Sequence, residues 1–251
     1  MLVGFQHFKA IALGLSFIAL QGLSPLLIAA TSVSASSSLS SISQSIIKVR
    51  QAAREGDAQA QYQLGLAYTK GELIQKDHNQ AIYWYQKAAQ QKLPEATYSL
   101  GSVYYYGLGV KQDYGQAVNW FQKAAEMGSA EAEYSLGLAH YYGVGTPQNY
   151  SQAVNWFQKA AEQGLVEAFY SLGVAYYFNS GIEQDFAQAA HWFQKAAHYG
   201  HSNAQYNLAV MYNNGQGVQL NKALATSWYR QAAQQGHTKA IMTLKSDNTN
   251  H

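Results

Sequence analysis

The sequence predicts an all-α solenoid: five tandem 36-residue helix-turn-helix repeats, closed at each end by a half-repeat cap. Three observations predict it. The five tryptophans, Trp84, Trp120, Trp156, Trp192 and Trp228, follow one another at intervals of 36. Tyr62, Tyr98, Tyr134, Tyr170 and Tyr206 keep the same period, as do Leu64-Gly65, Leu100-Gly101, Leu136-Gly137 and Leu172-Gly173, with Leu208-Ala209 fifth. The string Ala-Val-Asn-Trp-Phe-Gln-Lys-Ala-Ala-Glu stands verbatim at 117–126 and 153–162. A period of this size marks a stack of supersecondary units, each too small to bury its own apolar face.

Two amphipathic segments share each unit. Ala60, Leu64, Ala67 and Tyr68 fall at i, i+4, i+7 and i+8, one face of a first helix that Gly71 ends in a left-handed turn. Ala81, Trp84, Tyr85 and Ala88 mark a second helix, with Asp77 as its cap. Gly56, Gly128, Gly164, Gly200 and Gly236 close the second helices; Lys92, followed by Pro94, breaks that series and predicts a differently made turn. The Gly65 series lets the two helices of a hairpin approach closely, and the large aromatic pair of the second helix fills the space between hairpins. Ile46, Ile47 and Val49 read as a lone second-type helix in front, and residues 238–245, with Ile241 and Leu244, as a lone first-type helix behind.

The solenoid is expected over 46–246, with repeats at about 52–87, 88–123, 124–159, 160–195 and 196–231 and a tail at 247–251. Ahead of it, Lys9, an apolar stretch from Ala10 to Leu20, a second from Leu23 to Ala30 and small residues follow in the order of a secretory signal peptide. Val33-Ser34-Ala35 offers a cleavage site, giving a signal at 1–35 and a Ser-rich linker at 36–45. The competing reading is an uncleaved anchor, since residues 10–30 just reach across ~30 Å of hydrocarbon. Both place the repeats outside the cytoplasm, periplasmic or secreted, and only the uncleaved signal would touch a membrane.

The recurring pattern, Ala-x-Tyr-x-Leu-Gly-x-x-Tyr-x-x-Gly-x-Gly-Val, then Asp, then Ala-x-x-Trp-Phe-x-Lys-Ala-Ala, resembles the Sel-one-like repeat (SLR) family, relatives of the tetratricopeptide repeat. The clearest match runs from Leu100-Gly101 to Lys123-Ala124-Ala125. The resemblance implies a right-handed superhelix that serves as an adaptor for other proteins, in bacteria commonly at the envelope or in host contact. His140 in the Tyr68 series, Asn179-Ser180-Gly181 for a Gly-x-Gly turn, and Gly71-Glu72-Leu73 without its second Gly depart from the pattern.

Charged residues make up only 12% and the net charge is +2, with no basic run for nucleic acid to neutralise. Without Cys there is no disulfide, thiolate site or Cys nucleophile. Ser45-Ile46-Ile47-Lys48 and Ser246-Asp247-Asn248 match two motifs of penicillin-recognising enzymes, and Cys-rich relatives in the SLR family have been linked to penicillin binding. The motifs lie at opposite ends of the repeat array, no Lys-Thr-Gly motif joins them, and a nucleophile must lie within hydrogen-bond reach of its base. The Gly-x-Gly pairs recur as hairpin turns, with no strand before them to build a phosphate loop. His198, His201 and His237 have no carboxylate partner for a metal site and read as surface loop residues. No cofactor or metal is expected.

One array stands out. Two positions the family pattern leaves free hold Tyr105-Tyr106, Tyr141-Tyr142 and Tyr177-Phe178 in the middle repeats, against Thr69-Lys70 and Asn213-Asn214 outside them. In tetratricopeptide-like solenoids the first helices line the concave face, so these rings are expected along a groove, with Glu95, Glu131 and Glu167 as an acidic edge selecting basic ligands. Half-polar rings are favoured at binding hot spots. The alternative is packing between units, which suits the Tyr62 series better than the Tyr105 series. The expected function is a non-catalytic exported scaffold holding a protein or peptide. An envelope-remodelling or penicillin-reactive enzyme and a peptidoglycan- or glycan-binding module are the alternatives.

Overall fold

The computed structural model describes residues 32–72 and 74–249, and all regular structure among them is helical. In chain order the helices are α1 (Ser32–Glu55), α2 (Ala58–Lys70), α3 (His78–Gln90), α4 (Pro94–Tyr106), α5 (Tyr114–Glu126), α6 (Ala130–Tyr142), α7 (Tyr150–Glu162), α8 (Val166–Phe178), α9 (Phe186–His198), α10 (Ser202–Asn214), α11 (Lys222–Gln234) and α12 (Thr238–Thr249). They divide after Pro147 into two compact units. The expected cleavage site begins α1 and the Ser-rich stretch read as a linker continues it, while the rest of the expected signal, like Leu73, lies outside the described residues. The expected tail at 247–251 begins inside α12, which runs on to Thr249.

Side chains set the helix boundaries. Asp77, Asp113, Asn149, Asp185 and Asn221 each stand just before a second helix and accept backbone N–H groups of its first turn, as Asp77 does from Asn79 and Gln80. Four first helices end on a left-handed Gly, and α8 ends on Asn179 with φ 57°, so the altered turn keeps its geometry. Lys92 also keeps the turn its series needs, at φ 63°, where the equivalent residues are Gly. A side chain in that conformation costs about 1–2 kcal/mol. The expectation of a different turn is thus corrected: the turn is the same, and Lys92 carries the strain.

Within a hairpin the small residue and the ring interlock. A Cβ on Gly101 would lie 2.5 Å from the Phe121 ring, and one on Gly173 would meet Phe193 at the same distance. The second glycine of each Gly-x-Gly turn serves another contact: a Cβ on Gly145 would collide with the backbone carbonyl of Tyr114. In the N-terminal unit Ile46, Val49 and Trp84 pack around Ala53, Ala60 and Leu64, which makes α1 the front cap, with Ile47 left exposed. In the C-terminal unit Trp228, Tyr206 and Leu244 pack around Ala209, Tyr229 and Ala240, so α12 caps the last hairpin.

Candidate protein-binding faces

On α4, Glu95, Ser99, Ser102 and Tyr106 fall at i, i+4, i+7 and i+11 and share a helix face; Glu131, Ser135, Leu138 and Tyr142 repeat it on α6. The Tyr62 series sits between this face and the seam. Its rings pack on the second-helix aromatics, at centroid distances of 6.0 Å for Tyr62–Tyr85, 5.4 Å for Tyr98–Phe121 and 5.8 Å for Tyr170–Phe193. Its hydroxyls reach the next first helix: Tyr62 bonds Ser99, and Tyr98 bonds Ser135. Burial raises the Tyr62 phenol above its ordinary value, helped by the negative charges of Glu95 and Glu131. Burial likewise pushes Tyr98 up to about 12. Both phenols therefore stay protonated and keep a proton to donate.

The three expected carboxylates all lie in the first turn of their helices, where they favour the dipole. Glu95 is exposed, Glu131 accepts a 3.0 Å bond from the Ser129 hydroxyl, and Glu167 is half-buried.

The paired aromatics divide their work. Tyr105 is only 7% exposed, and its ring packs 5.2 Å from Tyr114 at the start of α5. Tyr177 packs in the same way on Phe186, at 5.2 Å, and 6.5 Å from Phe193. These rings fill their own hairpins, whereas sequence reasoning leaned toward the groove for this series. The reason is the second helix, which starts with an aromatic residue in the middle repeats and so offers a ring to pack against. Tyr141 is half-buried and meets Tyr142 edge-on at 4.9 Å. Tyr106 and Tyr142 remain half-exposed beside their partners, and Phe178 is 64% exposed. The second residue reaches solvent more than the first in repeats two and four, whereas Tyr141 and Tyr142 are half-buried alike.

Two further features escaped sequence reasoning. Lys123, Lys159 and Lys195 place their ammonium groups 4.3, 4.1 and 4.4 Å over the indoles of Trp120, Trp156 and Trp192. The Trp-x-x-Lys spacing hints at it but does not fix it, since repeat one keeps the spacing and turns Lys87 over Tyr83 at 5.7 Å. His201 and His237, read as loop histidines, are N-caps: each Nδ1 accepts a backbone N–H at 3.2 Å, from Ala204 and Ala240. Each imidazole also stacks on a tyrosine, His201 on Tyr170 at 4.4 Å and His237 on Tyr206 at 4.7 Å. Burial pushes His201 down to about 4, which keeps its Nδ1 a proton acceptor.

Of the motifs set aside, Ser45 is exposed on α1, while the Ser246 hydroxyl on α12 donates to the Thr243 carbonyl at 2.8 Å. Among the described residues no group of three or more His, Asp or Glu side chains is placed to hold a metal ion, and no helix is long and apolar enough to cross a membrane.

The family model for the Sel1 repeat matches residues 58–93, 94–129, 130–165, 166–201 and 202–237, the same period with its origin six residues later than the sequence-based division. No curated protein matches the chain. Among solved structures, a protective antigen of uropathogenic Escherichia coli strains with an SLR fold is 39% identical, with a TM-score of 0.76, over 79% of this chain and 43% of its own. A Sel1 repeat protein from Oxalobacter formigenes is 36% identical, with a TM-score of 0.75, over 80% of this chain and 59% of its own. The chain thus spans about half the length of these two relatives. A putative sel1 repeat protein from Klebsiella pneumoniae is 26% identical, with a TM-score of 0.50, over 79% and 97%.

Proposed function

The chain belongs to the Sel1 repeat family, and from that premise we propose that it is a non-catalytic, exported scaffold that holds a protein or peptide on its first-helix faces. One observation carries the reading. At the last position of the first helix, repeats one and five hold Lys70 and Asn214, while repeats two to four hold Tyr106, Tyr142 and Phe178, which keep solvent access. A large ring that keeps solvent access in three successive repeats suits an interface anchor. Beside it in the N-terminal unit lie Tyr–Ser hydroxyl bridges and the carboxylates of Glu95 and Glu131, chemistry that favours a peptide with basic side chains.

Export rests on the order of Lys9, apolar stretches and small residues at the N-terminus. The E. coli relative is a protective antigen, which fits a protein met by a host. Exposure outside the cytoplasm is proposed for this chain, as a periplasmic or secreted protein.

The test combines Tyr106→Ala, Tyr142→Ala and Phe178→Ala in one protein and measures crosslinked partner capture from envelope extracts. Their half-exposed or exposed positions predict a retained fold by circular dichroism and a loss of capture of tenfold or more. Full capture by the folded triple variant would refute the reading. Export is checked separately by N-terminal sequencing of the mature protein, which is expected to begin after Ala35.

A further inference from the structure

Repeats one, four and five fill one slot at the helix surface with a pair of residues 30 positions apart. The first of the pair lies on the first helix and the second just after the second helix. In repeat one the Gln91 amide donates to Gln61 at 2.9 Å, and in repeat five Gln235 donates to Gln205 at 2.8 Å. In repeat four the slot is aromatic. Phe169 stacks on Trp192 at 6.0 Å and 24°, packs 6.0 Å from Tyr199, and has the Lys195 ammonium 5.7 Å away.

Repeat two breaks this rule. Its pair is Thr97 and Met127, joined only by a 3.9 Å hydroxyl–sulfur contact. The Trp and Lys remain, with Lys123 4.3 Å over Trp120, but no ring stands where Phe169 stands in repeat four. Met127 covers Thr97, which is only 1% exposed, and beside this pair opens a cleft of about 470 Å³ lined by Gln86, Gln90, Thr97, Trp120, Lys123 and Met127. Its volume falls within the range of small ligand sites.

We infer that this cleft is a receptor for one aromatic side chain of a partner polypeptide, which takes the place that Phe169 fills in repeat four. The protein supplies the template. In repeat four a ring, an indole and an ammonium group coexist on the equivalent residues, so the Lys123–Trp120 pair does not bar a ring from the slot. The ring would stack on the Trp120 indole, gain attraction from the Lys123 cation and touch the Met127 sulfur, three contacts that an aliphatic side chain does not reproduce. Met127 is unbranched and partly exposed, so it can swing aside to admit the ring. The slot lies on residues other than Tyr106, Tyr142 and Phe178 and stands apart from the reading of the first-helix faces.

The full chain labelled with 13C-methyl methionine gives the test, its Met127 signal assigned with Met127→Leu. N-acetyl-Gly-Phe-Gly-amide is expected to shift the Met127 methyl upfield in a saturable way, at least fivefold more tightly than the Leu counterpart. Lys123→Gln should weaken the Phe peptide about threefold. Thr97→Phe should fill the slot from within, so that its Met127 methyl starts upfield and ignores the peptide. An unmoved Met127 signal, equal affinity for the Leu peptide, or undiminished binding to Thr97→Phe would each overturn the inference. Should Thr97→Phe fail to fold, the Phe-over-Leu preference of the unmodified protein decides.

Discussion

Repeats two and four are built on one plan and spend the same positions differently. Both start their first helix at a Leu, Leu93 or Leu165, that makes no side-chain cap, and both lock the hairpin with a Gly against a Phe. Repeat four fills its slot with Phe169, follows a left-handed Gly164 and ends on the imidazole cap of His201. Repeat two has a cleft beside the slot, follows the strained Lys92 and ends on the hydroxyl cap of Ser129. The difference shows which parts of a repeat are fixed by stacking and which are free to vary. The seam is fixed; the slot, the lead-in turn and the cap are free.

The slot gives the largest expected difference. Phe169→Thr copies repeat two into repeat four and removes a ring that is only 6% exposed. It should cost about 3 kcal/mol in urea unfolding, near the lower end for deleting a buried aromatic. A cost under about 1 kcal/mol would mean that the ring is dispensable and the template weaker than drawn.

The caps differ next. His201 is held neutral in the fold, down at about 4, against about 6.5 in the unfolded chain. Between those values the unfolded state binds more protons, so stability is full above about pH 6.5 and is lost as pH falls toward 4. The loss is on the order of 3 kcal/mol, caused mainly by burial of the imidazole, which disfavours its charged form. Protonation of Nδ1 would also leave the Ala204 N–H without its acceptor. His201→Ser, which copies the Ser129 cap, should keep neutral-pH stability within about 1 kcal/mol and flatten the acid slope. Denaturant midpoints at several pH values read both.

The seam should treat the two repeats alike. Gly101→Ala and Gly173→Ala each drive a Cβ into a packed Phe ring, and each should cost about 1–2 kcal/mol, since the gain in helix propensity offsets part of the overpacking. Unequal costs would show that the shared interlock is not shared. The smallest effect belongs to the lead-in turn: Lys92→Gly should stabilise by about 1 kcal/mol, seen as a raised melting temperature.

Much of this was legible in the sequence, because repetition exposes both the rule and its exceptions. The helices, the Asp77-type caps, the close approach at the Gly65 series and the half-repeat ends all follow from spacing. The second ring of the aromatic pair, however, expected between hairpins, packs on that Gly inside its own hairpin. The burial of Tyr105 was not legible, since a tyrosine suits a hairpin interior and a surface equally; the decisive neighbour, Tyr114, lies on another helix. The caps at His201 and His237 were hidden because a histidine rarely serves as an N-cap, and only the geometry shows Nδ1 facing the backbone. The slot pairing was within reach. Lining up Gln61 with Gln91, Thr97 with Met127, Phe169 with Tyr199 and Gln205 with Gln235 shows polar matched to polar and ring to ring, with repeat two as the exception.

The claim that the first-helix faces hold a polypeptide is tested most directly by a photo-crosslinking residue placed at position 106, with position 230 on the second helix α11 as the control. Irradiation of the native envelope should give a discrete adduct from position 106, competed away by added unlabelled protein, and none from position 230. Adducts of equal yield from both positions, or from position 230 alone, would contradict the account.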